Sequence, residues 1–203
     1  MTPATASSHL GKLTAGGLLT VEAHGRHRYY RLAGPEVAEL IETLERLSPA
    51  QPIRSLREGT RAQALRHART CYDHVAGRLG VELMAAMIRG GHVAGGDGHH
   101  HPESGGADPR AGYGRDVDYT LTPAGEAFLE QFGAVIPPRR TRVRYCIDWT
   151  EQRHHLSGGV GRALRDRLLE LAWIEPARSS RAVRLTPAGE RGLCETFGIG
   201  DGG

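Results

Sequence analysis

The hexapeptide Leu-Thr-Pro-Ala-Gly-Glu occurs twice in this 203-residue chain, at 121–126 and again at 185–190. It belongs to a longer internal repeat. The first copy begins at Cys71-Tyr72-Asp73-His74 and runs through Val75-Ala76-Gly77-Arg78-Leu79-Gly80. The second has Cys146-Ile147-Asp148-Trp149 and, after a six-residue insertion, His155-Leu156-Ser157-Gly158-Gly159-Val160-Gly161. An apolar helical stretch follows in each copy, Val81 to Ile88 and Ala163 to Ile174. The hexapeptide comes next, and then an amphipathic helix ending at Phe132-Gly133 or Phe197-Gly198. One supersecondary unit built twice is expected to pair with itself pseudo-symmetrically.

Each copy is expected to run helix, strand, turn, strand, helix, in the outline of a degenerate winged-helix module. Thr122 and Thr186 are expected to cap the final helix of each copy, with Pro123 and Pro187 at its first position and Glu126 and Glu190 close to a capping box. The copies differ between their strands. Residues 90–116 are Gly-rich and polar where the second copy has only a short connection, and they read as a disordered His/Gly loop. His99, His100 and His101 lie in it. Such a run binds transition metals weakly at best, and a plain solvated loop is the expectation.

The repeated Cys and His residues carry the most chemistry. Cys71-x-x-His74 is compatible with two ligands on one helical face, and Cys146 and His155 hold the matching places in the second copy. Packed about a pseudo-two-fold, these four converge. Thiolate and imidazole together suit a soft or borderline divalent metal ion such as zinc, cadmium or lead. The same cysteines suit a thiol sensor if a neighbour lowers their pKa. A buried small apolar residue is the structural alternative for each Cys. Asp73 and Asp148 read as ligands, as orienters of the His rings, or as helix caps. Three cysteines, with Cys194 unmatched, do not make a disulfide framework.

The other informative stretch is residues 5–32. Thr2 and Pro3 suit a helix start. Ala6, Leu10 and Leu13 recur at helical spacing, while Thr5, Ser7, Ser8, His9 and Lys12 occupy the other faces. Short hydrogen-bonding side chains and a cation are what a helix needs in a major groove. Gly16-Gly17 end the helix, and Leu18, Leu19 and Val21 read as a buried strand start. His24-Gly25-Arg26 reads as a turn, with a return strand through Tyr29, Tyr30 and Leu32. Arg26, Arg28 and Arg31 fall at or near the hairpin tip, suited to phosphate or minor-groove contacts. The chain carries a net charge of +3, and Lys12, Arg26, Arg28 and Arg31 against Glu22 account for all of it. Positive charge confined to this segment fits capture of a polyanion.

Ser7-Ser8-His9-Leu10, Leu13 and Gly17-Leu18, followed by Gly25-Arg26-His27-Arg28-Tyr29-Tyr30-Arg31-Leu32, resemble the ArsR family of winged helix-turn-helix regulators. The match covers roughly the first fifth of the chain. The tandem Cys-Asp-His and hexapeptide elements resemble the C-terminal extension of a subset of long ArsR-like regulators. The resemblance implies that Thr5, Ser7, Ser8, His9 and Lys12 face DNA and that Arg26 and Arg28 belong to the wing. The motif starts almost at Met1, so the helices that ordinarily precede it are expected to be encoded upstream of an N-terminally truncated chain. Pro35-Glu36 opens a helix with Val37, Leu40, Ile41, Leu44 and Leu47 on one face, which the family uses at a dimer interface.

The expected fold class is α+β, mainly α with small β-hairpins: a winged helix-turn-helix remnant followed by two winged-helix-like repeats. Residues 1–47 form a partial DNA-binding domain with a dimerisation helix, 48–60 a linker, and 61–203 a sensing or packing domain whose repeats span 61–136 and 139–200. The expected function is a non-enzymatic transcriptional repressor. It binds double-stranded operator DNA as a cytoplasmic homodimer, without a membrane segment, and a metal ion or thiol-reactive effector releases it. The alternative is an enzyme or small-molecule-binding protein built on the C-terminal Cys/His domain with a vestigial DNA reader. Against an enzyme, the chain has no phosphate-binding loop, no HExxH and no nucleophile elbow.

Overall fold

Thr2 opens the first helix, α1 (Pro3–Ala15), by accepting a hydrogen bond from the Thr5 amide at 3.2 Å, with Pro3 at the first position. In the computed structural model the described residues are 2–25, 27–34, 36–38, 40, 41, 44, 56–108, 110–138, 142–177 and 180–200, with backbone alone for Leu56 and Arg57. They fall into two units, Met1–Leu47 and Ser48–Gly203.

In the first unit Gly17, at φ 72°, turns the chain out of α1. The strands β1 (Leu19–His24) and β2 (His27–Leu32) pair antiparallel from Leu19↔Leu32 to His24↔His27. Helical backbone returns at 36–38, 40, 41 and 44. Ala38 is buried, whereas Leu13, Val21, Tyr29, Leu40 and Leu44 are exposed. The strand start expected to be buried is therefore half-buried at Leu18 and Leu19 and open at Val21, because the described residues of this unit offer little to cover it.

The second unit is α+β and its first described element is α2 (Leu56–His67), so within the stretch expected as a linker over 48–60 the described residues, from Leu56 onward, are helical. The first copy of the repeat then runs β3 (Arg69–Cys71), β4 (His74–Ala76), α3 (Arg78–Arg89), β5 (Val93–Ala94), β6 (Gly112–Tyr113), β7 (Thr120–Leu121) and α4 (Pro123–Phe132). The second runs β8 (Arg144–Ile147), β9 (His154–Ser157), α5 (Gly158–Glu170), β10 (Ile174–Pro176), β11 (Val183–Leu185) and α6 (Pro187–Phe197). Each copy thus contains the expected helix, strand, turn, strand, helix, preceded by a hairpin that was not expected. The element before the long helix is a hairpin in both copies.

The copies pack crosswise. Helix α3 lies on β9 of the other copy and α5 lies on β4. Two glycines permit this approach. A Cβ at Gly80 would sit 3.4 Å from His155 Cβ of the other copy and one at Gly161 3.2 Å from His74 Cβ, and each would also crowd a carbonyl oxygen of its own copy's hairpin, Val75 at 2.5 Å and Leu156 at 2.4 Å. Around the pseudo-two-fold, Val75, Leu83, Leu156 and Leu164 close a small void together with these glycines. Farther out, the chain's three phenylalanines, Phe128, Phe132 and Phe197, join α4 to α6, and Trp173 packs against Phe132. The hexapeptide performs the same task twice. Thr122 accepts from the Gly125 amide and Thr186 from the Gly189 amide, each at 3.0 Å. Each hydroxyl also donates to a carbonyl of the preceding turn, Gly91 at 2.7 Å and Ala172 at 2.8 Å. Gly125 and Gly189 then lie so close to the carbonyls of His92 and Trp173 that a Cβ would come within 2.1 Å. Glu126 pairs with Arg142 at 3.0 Å.

The stretch 90–116, expected as a disordered loop, carries defined structure in its described residues. β6 adds to the second hairpin through Gly112↔Ile147 and Tyr113↔Cys146. The His154 amide donates to the Gly98 carbonyl at 2.9 Å. The Tyr119 hydroxyl meets His154 Nδ1 at 2.9 Å, and the Tyr145 hydroxyl donates to Asp108. Asp108 and Asp116 also accept backbone amides from each other's segment. Hydrogen bonds supply the order here that apolar content does not. No helix among the described residues is long and apolar enough to cross a membrane.

Candidate functional site

Cys71 ends β3 and His74 begins β4, and they are cross-strand partners. Cys146 on β8 and His155 on β9 are cross-strand partners too. Both pairs therefore come from hairpins, and the expectation that Cys71 and His74 share a helical face is corrected. Directly opposed residues on an antiparallel pair bring their Cβ atoms within about 5.5 Å, which suits two ligands of one ion. The first hairpin turns on two residues, Tyr72 at φ 55° and Asp73. The second turns through the longer segment from Asp148 to Arg153, so the six extra residues add four to the turn and one further strand pair, Ile147↔His154, while Cys146 still faces His155. Asp148 organises that turn by accepting from the Thr150 amide at 2.9 Å, its hydroxyl at 2.6 Å and the Glu151 amide at 3.2 Å.

The pseudo-two-fold brings the two pairs face to face. Donor atoms of Cys71, His74, Cys146 and His155 all lie within 4.8 Å of one another, and all four residues are buried. Cys146 Sγ is 3.6 Å from His74 Nε2, and the two imidazole centroids are 5.2 Å apart. A tetrahedral zinc ion with two sulfur and two nitrogen ligands needs donor separations of roughly 3.3–3.8 Å. The set fits such an ion in identity, number and approximate spacing. His155 adds a second observation, since neither of its ring nitrogens has a hydrogen-bond partner although the ring is 1% exposed.

The electrostatics set the two histidines apart and keep the Cys71 thiol protonated. The hydrogen bond with Cys146 and burial push the Cys71 thiol well above its usual pKa. Burial opposes a charge on His74, but Cys71 and the Asp73 carboxylate, 3.3 Å from Nδ1, outweigh it and raise the pKa to about 9. His155 goes the other way, down to about 3, through burial and then the neighbouring His74 charge. Burial opposes ionisation of Asp148, yet His155 and Arg69 hold its pKa below the usual carboxylate range.

The residues assigned to DNA lie apart from this centre in sequence, in the first unit. Thr5, Ser7, Ser8, His9 and Lys12 are all exposed on α1, and Arg28 is exposed on β2 opposite Ala23. Arg26 lies outside the described residues. Arg31 pairs with Thr20, toward the open end of the hairpin rather than its tip, and meets Glu22 at 3.5 Å.

Over 192 residues the chain is 36% identical to a Bacillus subtilis (strain 168) protein, the uncharacterized HTH-type transcriptional regulator YdfF. The match takes in 93% of this chain and 76% of that relative. The chain belongs to the HTH-type transcriptional regulators. No family model and no solved structure matches it. This regulator therefore joins a DNA-binding function to a unit that holds a buried Cys/His cluster able to take a metal.

One residue of the regulator's centre escaped the sequence reading. Arg69 is 1% exposed and donates to Asp148 Oδ2 at 2.9 Å, to the Leu65 carbonyl at 3.2 Å and to Thr150 Oγ1 at 3.3 Å. Its guanidinium also lies 4.7 Å from the Trp149 ring centre. The available signal was its place two residues before Cys71, which puts both on one face once β3 is read as a strand.

Proposed function

We propose that this protein is a dimeric repressor of ArsR-like character whose hold on operator DNA is set by a metal ion bound at Cys71, His74, Cys146 and His155. The single observation that carries the reading is the convergence of these four buried donors from two pseudo-equivalent hairpins. Two thiolates and two imidazoles favour zinc and accept cadmium or lead. The ion would tie the two copies together, so its binding energy becomes folding energy of the C-terminal unit. An ion that releases the regulator must bind the DNA-free form more tightly than the DNA-bound form, and the coupling is reciprocal. Thr5, Ser7, Ser8, His9, Lys12, Arg26 and Arg28 are the DNA contacts of this reading, and no catalytic step is assigned. The burial of Cys71 argues for metal rather than direct attack on a thiol-reactive compound, because reactive thiols are accessible.

The test is elemental analysis of protein purified without chelator, together with fluorescence anisotropy on DNA from upstream of its own gene. The expected result is one ion per chain and an operator affinity that changes at least tenfold between metal-loaded and chelator-treated protein. Absence of stoichiometric metal, with the same DNA affinity in Cys71→Ser and Cys146→Ser as in the parent, overturns the reading.

A further inference from the structure

We propose that Asp148 is a positioning residue for the metal centre, holding His155 with Nδ1 toward its carboxylate so that Nε2 is the donor to the ion. This rests on the metal-binding reading above. His155 is buried with both ring nitrogens unpartnered, and its Nδ1 lies 3.8 Å from Asp148 Oδ2. Buried polar atoms left in this state are rare and call for a partner. A metal at Nε2 fixes the neutral ring with its proton on Nδ1, and the carboxylate in reach is that of Asp148.

Asp148 is built to stay in place. It is fully buried, and its Oδ2 accepts from the Gly77 amide at 2.7 Å and from Arg69 at 2.9 Å. Its Oδ1 is held by Thr150 and Glu151. With five donors around a fixed carboxylate, the ring adjusts to the carboxylate and not the reverse. The first copy repeats the polarity: His74 Nδ1 lies 3.3 Å from Asp73 and its Nε2 lies 3.6 Å from Cys146 Sγ. Asp148 differs in reaching across the pseudo-two-fold. Through Gly77 it touches the start of α3 in the other copy, so one carboxylate links a ligand of the second hairpin to a helix of the first.

The test uses the full-length protein, zinc affinity by chelator competition and the visible spectrum of the cobalt(II)-loaded form. Asp148→Asn is expected to weaken zinc binding by about 10–100-fold, keep one ion per chain at saturation and shift the cobalt absorption bands. A folded Asp148→Asn protein with parental zinc affinity and an unshifted spectrum overturns the role. A purely structural Asp148 would lower the stability of the metal-free chain and leave that spectrum alone. Should Asp148→Asn fail to fold, Thr150→Val loosens the carboxylate without removing it. It is expected to cost several-fold in affinity with a smaller spectral shift, and parental values for both overturn the role. If the parent takes up neither zinc nor cobalt, the metal reading falls and this role with it. If the parent binds and Asp148→Asn is indifferent, only the role of Asp148 falls.

Discussion

Cys71 and Cys146 hold corresponding positions in the two copies, and each faces a histidine across its own hairpin. Serine at either position keeps the size but supplies no thiolate, so Cys71→Ser and Cys146→Ser are each expected to lower zinc affinity by at least about 100-fold, read by chelator competition. Arg69 tests a different interaction. Truncation leaves the fully buried Asp148 carboxylate without its ion-pair partner, and Arg69→Ala is expected to lose about 3–5 kcal/mol in urea unfolding. At this scale the sequence identified the four donors, because cysteine and histidine repeated in the same order narrow the chemistry sharply. It left Arg69 unremarked and the role of Asp148 open. Arg69 owes its importance to a partner 79 positions away, and nothing local to either residue announces the pair.

Among the elements, the hexapeptide was the most legible. Threonine caps, proline at the first position and glycine against a carbonyl are local rules, and both copies obey them. Thr122→Ala and Thr186→Ala are each expected to cost about 1 kcal/mol, close to additively because the two caps share no hydrogen-bond partner. The double variant, unfolded by urea beside the single ones, checks this. The ligand-bearing hairpins were not legible. Hairpin turns usually advertise themselves with Asn-Gly or Asp-Gly, whereas the first turn here is Tyr72-Asp73, with tyrosine in a left-handed conformation. Strands of three or four residues also show too few alternations for a period to emerge. Gly80 and Gly161 were visible only as residues of the repeat, yet they set how closely the helices approach the hairpins. Gly80→Ala and Gly161→Ala are each expected to cost about 1–3 kcal/mol by overpacking against a carbonyl, measured in the same unfolding assay.

For the whole molecule, the metal and the fold are expected to be thermodynamically linked. At free zinc about 1,000 times the dissociation constant, the bound ion adds about 4 kcal/mol to stability, so chelation should lower the melting temperature of the parent and leave that of Cys71→Ser unchanged. The DNA-reading role proposed for the first unit has its own test. Lys12→Ala and Arg28→Ala are expected to weaken binding about equally on all sequences and to reduce the salt dependence of log K by about 1 each. Changes at Ser7, Ser8 or His9 should alter sequence preference instead, as measured by anisotropy with mismatched duplexes.

The sequence by itself determined that the chain contains a duplicated unit, that each copy ends in a capped helix, and that the N-terminal stretch begins with a polar helix and a basic hairpin. All of these follow from interactions spanning a few residues, where residue type and spacing fix the outcome. The tertiary structure alone decided that the four donors oppose one another on hairpins and that six inserted residues extend the second hairpin by one pair and four turn residues without shifting the Cys146–His155 pairing. It alone decided that residues 112–113 and the tyrosines dock the long insertion onto β8 and β9, and that Asp148 meets Arg69 and Gly77 of the other copy. The contacts of Asp148, of the docked insertion and between the two Cys/His pairs join residues tens of positions apart. They exist only once two copies of an incomplete core have closed on each other, and no local window of sequence contains both sides of that closure.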